Sequence, residues 1–228
     1  MTESRCAAYY SDTINCESRY PALEGEVIAD VAIIGGGFTG VNAALELAQR
    51  GYSVALVEAN KIGWGASGRN GGQVTGSLSG EEAMRKEMRN QLGDAVDDFI
   101  WALRWRGHDI IRHRIAQYEI DCDLKFGHLH AAYKPAHMRE LRESYDAAVK
   151  RGMEDEVTLL EKHQIADFLE CEIYHGALYN RKNMHLHPLN LCLGEAQAAV
   201  KLGVKIFEHS QVLDVAHGVK PIVKTANG

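Results

Sequence analysis

The chain has 228 residues, 46% of them hydrophobic and 25% charged, which suits one large domain or two small ones and excludes wholesale disorder. Lys plus Arg number 25 against 31 for Asp plus Glu, a formal charge of -6, so a nucleic-acid surface is not expected. The five cysteines (Cys6, Cys16, Cys122, Cys171, Cys192) are scattered and odd in number, as reduced thiols of a cytoplasmic protein would be. Met1-Thr2-Glu3-Ser4-Arg5-Cys6 has an early acid and no apolar core, unlike a secretory signal. The uncharged stretch from Val31 to Leu45 falls short of the ~20 residues of a membrane span and holds four glycines.

Residues 1–26 are polar and aperiodic and read as an arm over the body. Val31-Ala32-Ile33-Ile34 is the short apolar run of a strand buried on both faces. Val41 to Arg50 is rich in helix formers and stops at Gly51, and Ser53 to Val57 is a second buried strand ending at Glu58. Strand, helix and strand within ~30 residues make a β-α-β unit, which favours a parallel sheet with right-handed crossover. Ile62 to Gly80 holds seven glycines in nineteen residues. Met84, Met88, Leu92, Val96, Phe99 and Leu103 recur at helical spacing, so one long helix is expected from Glu81 toward Tyr118, kinked or divided at Gly107. Strands are expected over 124–133, 157–160, 176–179, 204–207, 211–216 and 221–225. Helices are expected over 136–151 and from Pro188 to Leu202, with a helical turn from Glu161. Asn227-Gly228 reads as a hairpin turn with no return strand.

Gly35-Gly36-Gly37-Phe38-Thr39-Gly40 fits Gly-x-Gly-x-x-Gly in the required setting, between a buried strand and a helix. In that pattern Gly35 permits the tight turn, Gly37 lets backbone approach a pyrophosphate, and Gly40 lets helix and strand pack closely. The helix start offers unpaired N–H groups and a positive dipole end to phosphate. Glu58, 18 residues past Gly40, is placed to accept from ribose hydroxyls and to repel a 2′-phosphate. These features point to a dinucleotide without saying which. The run from Ile62 to Gln73 favours a flavin over a nicotinamide nucleotide. Its small residues let backbone amides reach an extended cofactor, and Ser67, Arg69, Asn70 and Gln73 add donors.

These motifs, with Ile62-Gly63-Trp64-Gly65-Ala66-Ser67-Gly68-Arg69-Asn70-Gly71-Gly72-Gln73 the specific part, resemble the FAD-dependent D-amino acid oxidase/glycine oxidase superfamily. Within it the likeness is greatest to the gamma-glutamylputrescine oxidoreductase branch of polyamine catabolism, and Tyr9-Tyr10 fits too. The resemblance implies an α/β fold, α+β in the substrate part: a Rossmann-like FAD-binding domain with an interleaved substrate-domain sheet. It implies segments 1–26 (arm), 27–118 (FAD-binding), 119–185 (first part of the substrate domain) and 186–228 (return to the FAD-binding domain). It places FAD contacts at Gly35, Gly37, Phe38, Thr39, Gly40, Glu58, Ala59, Ser67, Arg69, Asn70, Gly71, Gly72 and Gln73. Val212 is implied as an adenine contact, with an ordinary buried strand valine as the alternative.

The implied reaction is hydride transfer from the C–N carbon of a small amine to flavin, with oxygen as acceptor and hydrogen peroxide as product. No catalytic residue is assigned. Two alternatives stay open: a dehydrogenase that passes electrons to quinone or another carrier, and a non-catalytic nucleotide-binding fragment. Family members are considerably longer, so the 228-residue chain alone is expected to be inactive. His128-x-His130 and His185-x-His187 have strand spacing that puts each pair on one face, but no acid or cysteine completes a metal set, and none is expected. Phe99, Trp101 and Trp105 read as core. The cluster Arg104, Arg106, Arg112, His113, Arg114 reads as a solvated face, with anionic lipid or a partner subunit the open alternative.

Overall fold

The computed structural model describes residues 8–228 and leaves Cys6 outside them. The described part of the arm contains a single helical turn, α1 (Tyr9–Asp12). Asn15 Nδ2 donates to the Asp121 carbonyl at 2.6 Å, and Gln197 Nε2 to Ser18 Oγ at 2.7 Å. The Leu23 N–H donates to Ser210 Oγ at 2.8 Å. Tyr10, Ile14, Cys16 and Tyr20 cover apolar residues of the core beneath.

The chain divides into two compact units. The first takes the chain up to Gly72, then Ile110–Asp123 and His187–Gly228; the second takes Gln73–Asp109 and Leu124–Leu186. This differs from the sequence segmentation, which kept residues 73–109 with the β-α-β unit. Part of the reason is β3 (Gln73–Val74), which pairs with a strand of the second unit.

In the first unit β1 (Val31–Ile34), β2 (Val54–Val57) and β7 (Lys205–Phe207) form a parallel sheet in the order β1-β2-β7. Val31 lies opposite Val54, and Leu56 opposite Ile206. Helices α2 (Phe38–Gln49) and α6 (Pro188–Lys201) share the core. Val41, Ala44 and Leu45 of α2 meet Leu189, Cys192, Leu193 and Ala196 of α6, together with Leu56 and Ile206. Burying a leucine such as Leu45 is worth about 1.5–3 kcal/mol, so this cluster carries the unit. β8 (Asp214–Ala216) and β9 (Ile222–Lys224) pair with each other, antiparallel. The Asn227 carbonyl accepts from the Gly25 N–H at 2.8 Å, so the expected turn at Asn227-Gly228 is occupied by the arm.

The second unit has β6 (Gly176–His185) at the centre of an antiparallel sheet. β4 (Lys125–Ala131) lines one edge, and β5 (Val157–Glu161) and β3 follow each other along the other. β6 runs six residues beyond the expected 176–179, because Asn180 pairs with both β4 and β5, and Met184 and His185 pair with both β4 and β3. This carries the strand through Arg181-Lys182-Asn183, where the register to β4 shifts. The long helix is broken, but not at Gly107. Gly93, at φ +56, ends α3 (Glu81–Leu92), and after a short 3₁₀ turn α4 (Val96–Tyr118) continues through Gly107 without a break. α5 (His137–Val149) packs with Trp105, Met153 and Val157 in this unit's own core.

Candidate cofactor site

The turn between β1 and α2 is shaped by three glycines for three different reasons. Gly35 has φ +103 and its N–H donates to the Val57 carbonyl at 2.8 Å, so the chain leaves the sheet in a conformation that side chains resist. At Gly40 a Cβ would overlap the Gly35 carbonyl oxygen and lie 3.2 Å from Ile33 Cγ2; this is where helix and strand touch. At Gly37, the residue capping α2, a Cβ would lie 2.9 Å from Ser67 Oγ. The space beside Gly37 thus holds a hydroxyl, and that hydroxyl accepts from the Phe38 N–H at 2.9 Å. Thr39, next along α2, is exposed.

Glu58 sits one residue past the end of β2, as the spacing requires, and is half-buried. Its Oε2 accepts from the Gly36 N–H at 2.7 Å and its Oε1 from the Asn60 N–H at 2.8 Å. The acid therefore ties the glycine turn to the loop leaving β2. Each oxygen has a second lone pair for a further donor such as a ribose hydroxyl. Ala59 beside it is exposed.

The loop after β2 is held from below by Glu208, which the sequence reading missed. Glu208 is buried, accepts from the Ile62 N–H at 2.7 Å and from the Tyr20 N–H at 3.2 Å. Further on, Gly63 N–H donates to the Gly36 carbonyl at 2.9 Å, which brings the second glycine run beside the first. Asn70 works inside its own loop: Nδ2 donates to the Ala66 and Ser67 carbonyls, and Oδ1 accepts from the Gly72 N–H at 2.8 Å. Arg69 is exposed, with its guanidinium 5.5 Å from the centre of the Trp64 ring. Gly71 is exposed, Gly72 is buried, and Val212 is half-buried in the loop before β8, not in a strand. Gln73 is the first residue of β3 and belongs to the second unit.

Three other expectations change. Arg114 is not on a solvated face: it is buried and ion-paired with Glu195, 3.4 Å away. Arg104 is also paired, with Glu81. Arg106, Arg112 and His113 are exposed. Of the aromatics read as core, Trp105 is buried, Trp101 half-buried and Phe99 exposed. The pair His185 and His187 does not share a strand face, because β6 ends at His185 and His187 caps α6. His187 Nδ1 accepts from the Asn190 N–H at 3.1 Å, and burial pulls its pKa below the usual value. His128 and His130 do lie on one strand, and among the described residues no group of three His, Cys, Asp or Glu is arranged to hold a metal.

The second unit contains a cavity of about 650 Å³. Trp101, Trp105, Arg104, His128, His130 and Asn180 are among its lining residues. The Trp105 indole N–H is buried without a hydrogen-bond partner in the structure.

A glycine turn opening a helix, an acid at the end of the next parallel strand and a hydroxyl against the first helical N–H define a dinucleotide-binding α/β unit. The DAO family model, described as FAD dependent oxidoreductase, matches residues 30–228, and the chain belongs to this family. The chain is 39% identical over 208 residues to the probable oxidoreductase OrdL of Haemophilus influenzae, covering 91% of this chain and 48% of that protein. It is 35% identical over 228 residues to gamma-glutamylputrescine oxidoreductase of Escherichia coli, covering all of this chain and 52% of that one. Glycine oxidase from Geobacillus kaustophilus shares the fold, with a TM-score of 0.69 and 23% identity over 88% of this chain and 52% of that one. The chain thus spans about half the length of these relatives. FAD is the cofactor of the family, and the residues present fit its diphosphate and ribose. The helix N-terminus and Ser67 hydroxyl suit the former, and the free lone pairs of Glu58 suit the latter. Among the described residues no helix is long and apolar enough to cross a membrane.

Proposed function

We propose that the protein oxidises a C–N bond of a small amine, of the gamma-glutamylputrescine or amino-acid class, in the cytoplasm. The observation that carries the reading is the junction at Gly37, where α2's first N–H, Ser67 Oγ and the glycine backbone converge. The family match and the likeness to gamma-glutamylputrescine oxidoreductase support the substrate class. In this reading Gly35, Gly37, Phe38, Thr39 and Gly40 form the cradle for the diphosphate, with Ser67 donating to it. Glu58 and Ala59 border the ribose, and Val212 lies against the adenine. Arg69, Asn70, Gly71, Gly72 and Gln73 form the run along the flavin, with Asn70 keeping the loop in shape. Residues 119–185 are, in this reading, the first part of the substrate domain.

When bound, FAD would supply the redox chemistry for oxidising the C–N bond to an imine, which water would hydrolyse, with oxygen as the final acceptor. The protein's part is positioning. The test is the visible spectrum of the purified chain, followed by peroxide release under air with gamma-glutamylputrescine and simple amines. A flavin spectrum with amine-dependent peroxide supports the reading. Bleaching of the flavin by amine without peroxide would redirect it to a quinone or carrier as acceptor, and a colourless protein that takes up no FAD would remove it.

A further inference from the structure

Beneath the glycine turn lies a set of buried and half-buried polar groups that no cofactor atom is called on to explain. Glu195 of α6 is 1% exposed and sits among alanines and leucines. Its Oε2 accepts from Asn42 Nδ2 at 2.7 Å, and its Oε1 faces Arg114 Nη1 at 3.4 Å. Arg114 also donates to Asn42 Oδ1 and reaches Glu46 Oε2 at 3.5 Å. The same Asn42 nitrogen donates to the Phe38 carbonyl at 2.8 Å. Both N–H groups and the oxygen of the Asn42 amide are therefore occupied, and its orientation is fixed. Burial pushes the Glu195 carboxyl up, while Arg114 and Asn42 pull it back toward the charged form.

A buried charge pair adds little stability over apolar side chains of similar size, so stability is a poor reason for this arrangement. Its geometry offers a better one. Phe38 opens α2, its N–H is held by Ser67 and its carbonyl by Asn42. We infer that Asn42, Glu195 and Arg114 are positioning residues for the cofactor: they clamp Phe38 from within the protein so that the first N–H groups of α2 point where the FAD diphosphate lies. Apolar packing of α2 on α6 would tolerate small rotations of the helix, and a fixed amide between them does not. The inference rests on the proposed placement of FAD at the Gly35–Gly40 turn.

The experiment titrates the full chain and four variants with FAD by flavin fluorescence and records their melting temperatures. Glu195→Leu with Arg114→Met replaces the ions by apolar groups, so the fold is retained while Asn42 loses its restraints. FAD affinity should fall about tenfold, the equivalent of one hydrogen bond to a charged group, with the melting temperature unchanged or raised. Asn42→Ala should weaken binding at least as much. Glu195→Gln keeps an acceptor for Asn42 and should bind within about threefold of the parent. Amide exchange at the Phe38 N–H without FAD gives a second readout, and it should quicken in the first two variants but not in Glu195→Gln. Parental affinity and parental exchange in the apolar double variant would overturn the inference. Gly37→Val separates the two readings. If it loses FAD while the double variant does not, the clamp fails and the site stands; if it binds FAD normally, the placement of FAD fails, and exchange at Phe38 alone decides the clamp.

Discussion

Replacing Glu58 with alanine tests the ribose contact and the turn together. The carboxylate holds Gly36 N–H at 2.7 Å and Asn60 N–H at 2.8 Å, so both oxygens are engaged before any ligand arrives. Hydrogen bonds to a charged group contribute about 1.5–3 kcal/mol each, and the half-buried setting of Glu58 argues for the low end. Loss of the ribose bond alone should weaken FAD binding by about 1.5–3 kcal/mol, roughly 10- to 150-fold in Kd. Loss of the two backbone bonds should lower the folding free energy by about 3 kcal/mol in the absence of FAD. Glu58→Gln sharpens the test: its oxygen replaces one acceptor, but its amide N–H₂ confronts a backbone N–H, so it should fall between the parent and Glu58→Ala. Equilibrium dialysis gives Kd, and urea unfolding without FAD gives the stability. A Kd unchanged in Glu58→Ala would show that the ribose lies elsewhere. A loss of stability with no loss of affinity would confine Glu58 to holding the turn.

Gly37→Val should abolish FAD binding, because its side chain would displace Ser67 Oγ and fill the cradle; a folded variant that stays yellow would refute this. Gly40→Ala should destabilise the protein by about 1–3 kcal/mol or more, since its Cβ overlaps the Gly35 carbonyl oxygen, and an unchanged urea midpoint would count against the close approach. His108, His128 and His187 all have pKa values held below the usual histidine value, first of all by burial. The unfolded chain then binds more protons, so their contribution is complete above about pH 6.5 and is lost as pH falls through the folded values. Glu195, raised by burial, acts in the opposite sense as a single group. The urea midpoint should therefore fall between pH 7.5 and pH 5.5, and a rise on acidification would contradict the burial argument.

The part of the structure written in short-range pattern was legible. The run Val31–Ile34, the glycine turn and Val54–Val57 formed strand, turn and strand where expected, because an apolar run between glycines leaves few alternatives. What escaped depended on partners far away in the chain. Nothing in Asn180-Arg181-Lys182-Asn183 reads as strand; it is one because the residues on either side of Arg181-Lys182-Asn183 are paired, Asn180 with β4 and β5 and Met184 and His185 with β4 and β3. Arg114 looked like one of several surface cations, and its distinction is a carboxylate 81 residues later. Glu208 likewise acts on Ile62, across 146 residues. Helical spacing on both sides of Gly93 hid the break there, since periodicity does not register a single positive φ.

The order of strands in the first unit has a consequence for how the protein is made. β2 takes its outer partner from β7, which follows it by roughly 150 residues of chain. At about 5–20 residues per second of synthesis, that interval is ~8–30 s during which Val54–Val57 leaves the ribosome with one side unpaired. An apolar strand of this kind is a template for pairing with other chains. Pairing at long sequence separation is also intrinsically slow. The nascent protein is therefore most exposed to misassembly while its second unit is being synthesised, and chaperone dependence should peak before Lys205 emerges.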